Sequence, residues 1–322
     1  MVNTRLYCDG VLTEVDFAVA NISDHITVEG CAVWADFIAP TADDLASITE
    51  ELGLHTLAVE DAVHDHQRPK LDRYDTHLFL ACYFVSLNEK SGKLTRTEVK
   101  AFITPRALVT VHSPDFDMTK VVERWNSDAN LAVHGVAFLL WGLLDVIIDG
   151  HSDVVVQLDT AIESLEDALF DETPRDKDVQ RQSFEFRKSL VELHRVIMPM
   201  REVVNTILHR DIAGFDRAMD PYYHDVYDHV LRVTEEADSL RDLVNTIFDT
   251  NLSIQSNRMN LIMKKVTSWA AIIAVPTAIT GYFGQNLKFA GVGTEWGVWV
   301  SLGLITAVSV ALYASFKKRD WI

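Results

Sequence analysis

Residues 266–287 read VTSWAAIIAVPTAITGYFGQNL, and residues 296–316 read WGVWVSLGLITAVSVALYASF. Neither stretch, 22 and 21 residues long, contains an Asp, Glu, Lys or Arg. At 1.5 Å per residue each crosses a hydrocarbon core of about 30 Å as a helix. A helix of that length in a water-soluble core carries charge on its outer face. The pair therefore reads as two membrane spans, and neither lies near enough to the N-terminus to be read as a signal peptide.

The flanks orient the spans. Lys264 and Lys265 precede the first, Lys317, Lys318 and Arg319 follow the second, and the connection 288–295 holds one charge of each sign. Basic flanks stay on the cytoplasmic side, so both termini are expected in the cytoplasm and the short loop outside, in a cell (inner or plasma) membrane. Trp269, Tyr282, Trp296, Trp299 and Trp321 lie towards the ends of the spans, as interfacial aromatics do.

The charge of the 322-residue chain is −18, with 29 Lys+Arg against 47 Asp+Glu. Residues 258–322 hold seven basic and two acidic side chains, so 22 basic and 45 acidic side chains fall in residues 1–257. Such an acidic body excludes nucleic acid as the main partner, because phosphate binding needs a basic stripe. Cys8, Cys31 and Cys82 form no CxxC and no even framework, so neither a disulfide scaffold nor a thiolate zinc site is expected. There is no phosphate loop, nucleophile motif or catalytic pair, so the chain is not read as an enzyme.

Within the body, Ala32–Ile38 and His77–Leu87 are strand-like, and Thr97–Thr104 with Ala107–His112 form a hairpin about Pro105-Arg106. Thr41 and Asp44 open a helix over Ala42–Leu52 as a capping box, and Gly53 closes it. After Met118 the pattern is helical, with a break at Glu172-Thr173-Pro174. Val226, Val230, Val233, Ala237, Leu240, Val244 and Ile247 make an unbroken 4-3 alternation. No Pro or Gly occurs between Pro221 and Pro276, so this helix is expected to continue into the first span. The seam is expected to meet copies of itself around an axis lined by the first spans, which is an economical pore.

The expected organisation is an α/β cytoplasmic domain (1–117), cytoplasmic helices (118–220), a stalk helix (221–265), a pore-lining span (266–287), an external loop (288–295), a second span (296–316) and a basic tail (317–322). His64-Asp65-His66 invites a zinc reading. Alternate residues of a helix face different ways and no third ligand is in sight, so capping or contact roles suffice.

Gly281-Tyr282-Phe283-Gly284-Gln285-Asn286 follows the first span, Asn260-Leu261-Ile262-Met263-Lys264-Lys265 precedes it, Pro276-Thr277 lies inside it, and Lys317-Lys318-Arg319-Asp320-Trp321 ends the chain. Together with Leu57–Asp61, His66–Lys70, Met198–Val203 and Asp225–His229, the set resembles the CorA family of divalent-cation channels and transporters. The resemblance implies a homopentameric funnel that conducts Mg²⁺ inward, with Co²⁺ and Ni²⁺ as surrogates. It further implies a selectivity loop at Gly284, Gln285 and Asn286, and pore lining by Asn260, Met263, Val266, Ala274 and Thr277. Regulatory Mg²⁺ binding between subunits would fall on Asp61 and Asp225, with Glu60, Asp145 and Asp228 at neighbouring acidic positions.

The family signature is Tyr-Gly-Met-Asn, and here Phe283 and Gln285 replace its Tyr and Met. That departure leaves a Zn²⁺ or broader divalent transporter, proton-coupled or not, and a non-conducting pentameric sensor as alternatives. Mg²⁺ gives up its first-shell water reluctantly, and rings of carboxamides offer uncharged oxygens to the hydrated ion. Gln285 equally suits a turn contact. Gly284 is expected to supply a backbone conformation closed to other residues. Met263 and Val266 would form apolar constrictions that gate by dewetting. The partners expected are further copies of the chain, membrane lipid and divalent cations.

Overall fold

The computed structural model of the chain describes residues 2–64, 67–88, 92–170, 176–209, 215–285 and 294–322. The contacts divide it into two units, Met1–Ile247 and Phe248–Ile322.

The first unit is built on a seven-stranded mixed sheet: β1 (Val2–Cys8), β2 (Val11–Val15), β3 (Cys31–Ile38), β4 (Lys70–Arg73), β5 (Leu78–Asn88), β6 (Lys93–Ile103) and β7 (Ala107–His112). Its order is β2-β1-β3-β7-β6-β5-β4, and the β3–β7 pair is parallel while every other pair is antiparallel. The expected hairpin is β6–β7, with Ile103 opposite Leu108. The central strands read as nearly continuous apolar runs because both faces are covered. Val33, Ala35 and Phe37 of β3 pack with Phe79 of β5 and Val109 of β7 under α1 (Ile22–Thr27), α2 (Ala42–Leu52) and α3 (Thr56–Val63). Alternate residues Trp34, Leu80, Cys82 and Leu108 join the core on the other face with α4 (Met118–Ser127), α5 (Val136–Asp167) and α6 (Asp176–His209). Thr41 and Asp44 form the expected capping box, and Gly53 ends α2 in the left-handed conformation at φ 60°.

Three strands escape the patterning. All five residues of the edge strand β2 are exposed, β1 is only half buried, and β4 is four residues of mixed character. β2 and β4 are the two edges of the sheet and neither has a buried face, so no apolar alternation is left to read, while β1, paired with both β2 and β3, is covered at only part of its length. The absence of a disulfide is overturned as well. Cys8 and Cys31, 23 residues apart in sequence, end opposite each other on β1 and β3 and are bonded, while Cys82 is a free buried thiol. Cross-strand register, invisible in spacing alone, brings them together.

One helix, α7 (Asp220–Phe283), runs 64 residues from the body through Pro276. The 4-3 seam from Val226 to Ile247 is buried, but against its own chain, since these residues belong to the same core as α5 and α6. This corrects the expectation that the seam meets other copies. Two helices of 32 and 34 residues are long enough to cover it. Beyond Phe248 the helix is largely exposed, with Leu261, Ile262, Met263, Val266 and Ile273 at 50–64%. In the second unit α8 (Glu295–Lys318) is a 24-residue apolar helix, also almost wholly exposed. The turn after α8 folds Trp321 back onto Phe316, with their rings stacked 5.7 Å apart. The break expected at Glu172-Thr173-Pro174 and the loop residues 288–293 lie outside the described residues.

Where β3 and β7 run parallel, Asp36 is wholly buried and its Oδ1 accepts from the Thr110 hydroxyl at 2.6 Å. Thr110 in turn accepts from the Trp34 indole at 3.0 Å. His112 Nε2 lies 3.1 Å from the same carboxylate oxygen. Burial works against the imidazolium, but the hydrogen bond and charge of Asp36 outweigh it and raise the His112 pKa above 6.5. A raised histidine pKa contributes stability that is complete below the unfolded value and lost as pH rises through the folded value. The thermal midpoint of the solubilised protein should therefore fall as pH rises from just below 6.5 through the folded pKa. His112→Gln should flatten that slope, measured by the unfolding midpoint against pH.

Candidate ion pathway and metal-sensing residues

In the second unit, Asn260, Met263, Val266, Ala274 and Thr277 all lie on α7 and all are exposed in the single chain. Their three-residue steps, with one gap of eight, hold them near one face of the helix. Buried Ser268 marks a different face. The Thr277 hydroxyl makes only a long bond, 3.4 Å, to the Ile273 carbonyl. Thr280 donates to the Pro276 carbonyl at 2.7 Å. Both hydroxyls thus bond back to carbonyls one turn earlier, near the residue where proline removes an amide donor from the helix. No acidic side chain occurs between Asp249 and Glu295, so any polar group offered to an ion along this stretch is neutral or basic.

α7 ends where Gly284 N–H donates to the Thr280 carbonyl at 2.8 Å and Gln285 N–H to the Tyr282 carbonyl at 3.4 Å. Gly284 is not held by a left-handed backbone, since among the described residues the glycines with positive φ are Gly10, Gly30, Gly53, Gly92 and Gly135. The constraint is steric. A Cβ at Gly284 would stand 3.0 Å from the Thr280 carbonyl oxygen, the acceptor that closes the helix. Gln285 is exposed, and Asn286 lies outside the described residues.

In the first unit the acidic candidates fall into two groups. Asp61, on α3 beside exposed Glu60, accepts from Lys70 Nζ at 2.7 Å and from the Gln67 amide at 3.2 Å. Lys70 also bonds Asp72 at 2.6 Å, so one ammonium is shared by two carboxylates and the trio keeps a net negative charge. Burial tends to lower the Lys70 pKa, but its bonds to Asp61 and Asp72 outweigh this and raise it. His64 is exposed and its Nδ1 lies 2.9 Å from the Glu60 carbonyl, while Asp65 and His66 lie outside the described residues.

The second group joins α5 to α7. Asp145 is buried and held by Arg124 Nε at 2.6 Å, with Arg124 stacked 4.7 Å over Trp141 and also paired with Asp128 at 3.2 Å. One turn on, Asp149 has its pKa raised chiefly by burial; the charges of His229 and Arg124 pull it down, those of Asp153 and Asp225 push it up. Asp225 itself is exposed, 4.0 Å from His229, and Asp228 is exposed beside it. Arg124, Asp149 and His229 are participants that sequence reasoning passes over. The i, i+4, i+8 spacing of Asp145, Asp149 and Asp153 is the signal that marks this face of α5. Among the described residues, no three His, Cys, Asp or Glu side chains of one chain converge on a point that would hold a metal ion.

A large body of sheet and helices, one helix continuing from it into a first apolar segment, and a second apolar helix after it make the architecture of a two-span membrane protein. The chain matches the CorA-like Mg²⁺ transporter protein family over residues 29–318 and belongs to that family. It is 28% identical over 285 residues to the cobalt/magnesium transport protein CorA of Thermotoga maritima, spanning 87% of this chain and 80% of that one. It is 29% identical to the putative metal ion transporter YfjQ of Bacillus subtilis, over 89% of each. Its fold matches the complete structure of the CorA magnesium transporter from Methanocaldococcus jannaschii with a TM-score of 0.81 at 20% identity, covering 100% of this chain and 99% of that one.

Removing one member of a buried ion pair leaves the other uncompensated. Arg124→Met should lower the unfolding free energy by about 2 kcal/mol, less than a fully enclosed pair because Arg124 is partly exposed. The Asp145→Asn/Arg124→Met double variant should recover part of that loss in a denaturant titration.

Proposed function

We propose that the chain assembles as a homopentamer and conducts hydrated Mg²⁺ into the cytoplasm, with Co²⁺ and Ni²⁺ as surrogates. The observation that carries this reading is the face of α7 bearing Asn260, Met263, Val266, Ala274 and Thr277. It is uncovered by its own chain, contains no carboxylate, and mixes two oxygen-bearing side chains with apolar ones. An apolar helix that its own fold leaves uncovered is completed by lipid or by neighbouring spans, and Asn and Thr favour a wet face over a lipid-facing one. Five such faces about an axis make a pathway whose constrictions are Met263 and Val266 and whose polar rings are Asn260 and Thr277. Gly284, Gln285 and Asn286 form the outer entrance, where carboxamide oxygens receive the ion with its water shell intact.

Sensing follows from the charge geometry. Both acidic groups outnumber their resident cations, so each retains charge for a divalent ion to neutralise. Asp225, exposed at the edge of one group, and the Asp61 group of the neighbouring subunit together supply what one chain lacks, with Glu60 and Asp228 close by. Asp145, engaged by Arg124, shapes the field rather than contacting the ion. Without a cation the facing carboxylates repel and loosen the closed ring; bound Mg²⁺ bridges them and holds it closed.

Uptake into proteoliposomes across a panel of divalent cations, with and without a pH gradient, tests the reading. Mg²⁺ uptake independent of the gradient is expected, and Zn²⁺ uptake without Mg²⁺ uptake would overturn it. Asn286→Ala should abolish uptake while the amount of assembled oligomer is unchanged, as read by size-exclusion chromatography. Asp225→Ala should shift the Mg²⁺ concentration that protects the body from protease upward by about fivefold or more.

A further inference from the structure

The body of this family member lies on the cytoplasmic side, where thiols are kept reduced and a permanent structural disulfide is out of place. Yet Cys8 and Cys31 are the closing pair of the β1–β3 ladder, with Cα atoms 4.1 Å apart. Their alignment is held from outside the bond. Asp9 N–H donates to the Gly30 carbonyl at 2.9 Å immediately beyond the pair, and Asp9, Gly10 and Gly30 all adopt positive φ in the turns that bracket it. The ladder from Val2↔Phe37 to Cys8↔Cys31 sets the same register without help from sulfur. The two sulfurs are thus placed to bond by the backbone alone, which keeps their effective concentration high whether or not they are joined. Cys8 is partly accessible and Cys31 nearly enclosed, so an external reagent meets Cys8 first.

We propose that Cys8 and Cys31 are a reversible thiol–disulfide modification site whose reactant is a small-molecule disulfide of the glutathione type. The Cys8 thiolate attacks one sulfur of the small disulfide, forming a mixed disulfide and releasing one small thiol. The Cys31 thiolate then attacks the Cys8 sulfur, forming the Cys8–Cys31 bond and releasing the second small thiol. The protein loses two electrons and two protons, and the small disulfide is reduced to two thiols. The product closes a loop containing the edge strand β2 and helix α1, tying the outer hairpin to the central strand β3. Oxidation therefore acts on the rim of the sheet and leaves the buried strands as they were. Cys82 takes no part: it is wholly buried, its thiol bonded to the Val99 carbonyl, and burial raises its pKa far above the usual thiol range.

The full-length protein in detergent, equilibrated in buffers of graded reduced-to-oxidised glutathione, acid-quenched and labelled with a maleimide under denaturing conditions, tests the site by peptide mass. Cys8 and Cys31 should lose label together in one two-electron transition within the graded range, while Cys82 labels throughout. Cys31→Ser should stop at the first step and accumulate a Cys8–glutathione adduct. Three outcomes would overturn the proposal: full labelling of both cysteines at every ratio, no labelling of either even at the most reducing ratio, or no adduct on Cys31→Ser.

Discussion

A peptide group inside a bilayer has no water to bond, so every backbone donor and acceptor there must be satisfied within the helix. That constraint governs α7. Its first part is held by an apolar seam against α5 and α6, and its last part crosses a region where only the i to i−4 ladder is available. Pro276 interrupts that ladder, and the hydroxyls of Thr277 and Thr280 turn back to carbonyls one turn earlier. The helix therefore serves two solvents with one backbone, and only its side chains change. Apolar residues at 4-3 spacing give way after Phe248 to a largely exposed stretch whose last charged residues are Lys264 and Lys265, and from Val266 to the end of the helix only apolar and uncharged polar residues remain.

How much of this was legible in the sequence depended on whether burial leaves a period behind. The spans were legible because they lack charge, and α2 because Thr41, Asp44 and Gly53 occupy capping positions whose chemistry is local. β3, β5 and β7 were legible as branched and aromatic runs. β2 and β4 were not, since edge strands expose what central strands hide, and β1, though paired on both sides, is buried at only part of its length. The Val226–Ile247 seam was read correctly as buried and wrongly as a contact between copies. Periodicity reports that a face is covered, never by what, and here α5 and α6 are long enough to cover it. The Cys8–Cys31 pair was missed for a related reason: strand register is a property of two segments, and spacing describes one.

At the candidate site the same limit appears as charge. Forty-seven acidic residues offer many metal-ligand sets on paper, and motif context narrows them to five. The structure separates four of those five by what already holds them: Lys70 on Asp61, Arg124 on Asp145, and little on Asp225 or Asp228. No sequence rule pairs Arg124 with Asp145, because the contact joins α4 to α5 through a cation stacked on Trp141. Resident cations do not cancel these groups. Each is shared between two carboxylates, so the local field stays negative while the self-repulsion of the isolated chain remains bearable.

The division of charge then bears on what the pathway asks of an ion. On the proposed reading, a divalent cation is attracted by the acidic body, where 45 of the 47 carboxylates lie, and meets none along the exposed face of α7. Carboxylates lining a narrow, water-poor passage would bind a bare divalent ion too tightly for it to leave, because Coulomb attraction grows as the dielectric falls. Amide and hydroxyl oxygens bind more weakly and leave the water shell in place. On the proposed reading, carboxylates are used where binding must be reported and carboxamides where binding must be brief. The two chemistries would then sit in separate units of the chain because a single site cannot both hold an ion and release it quickly.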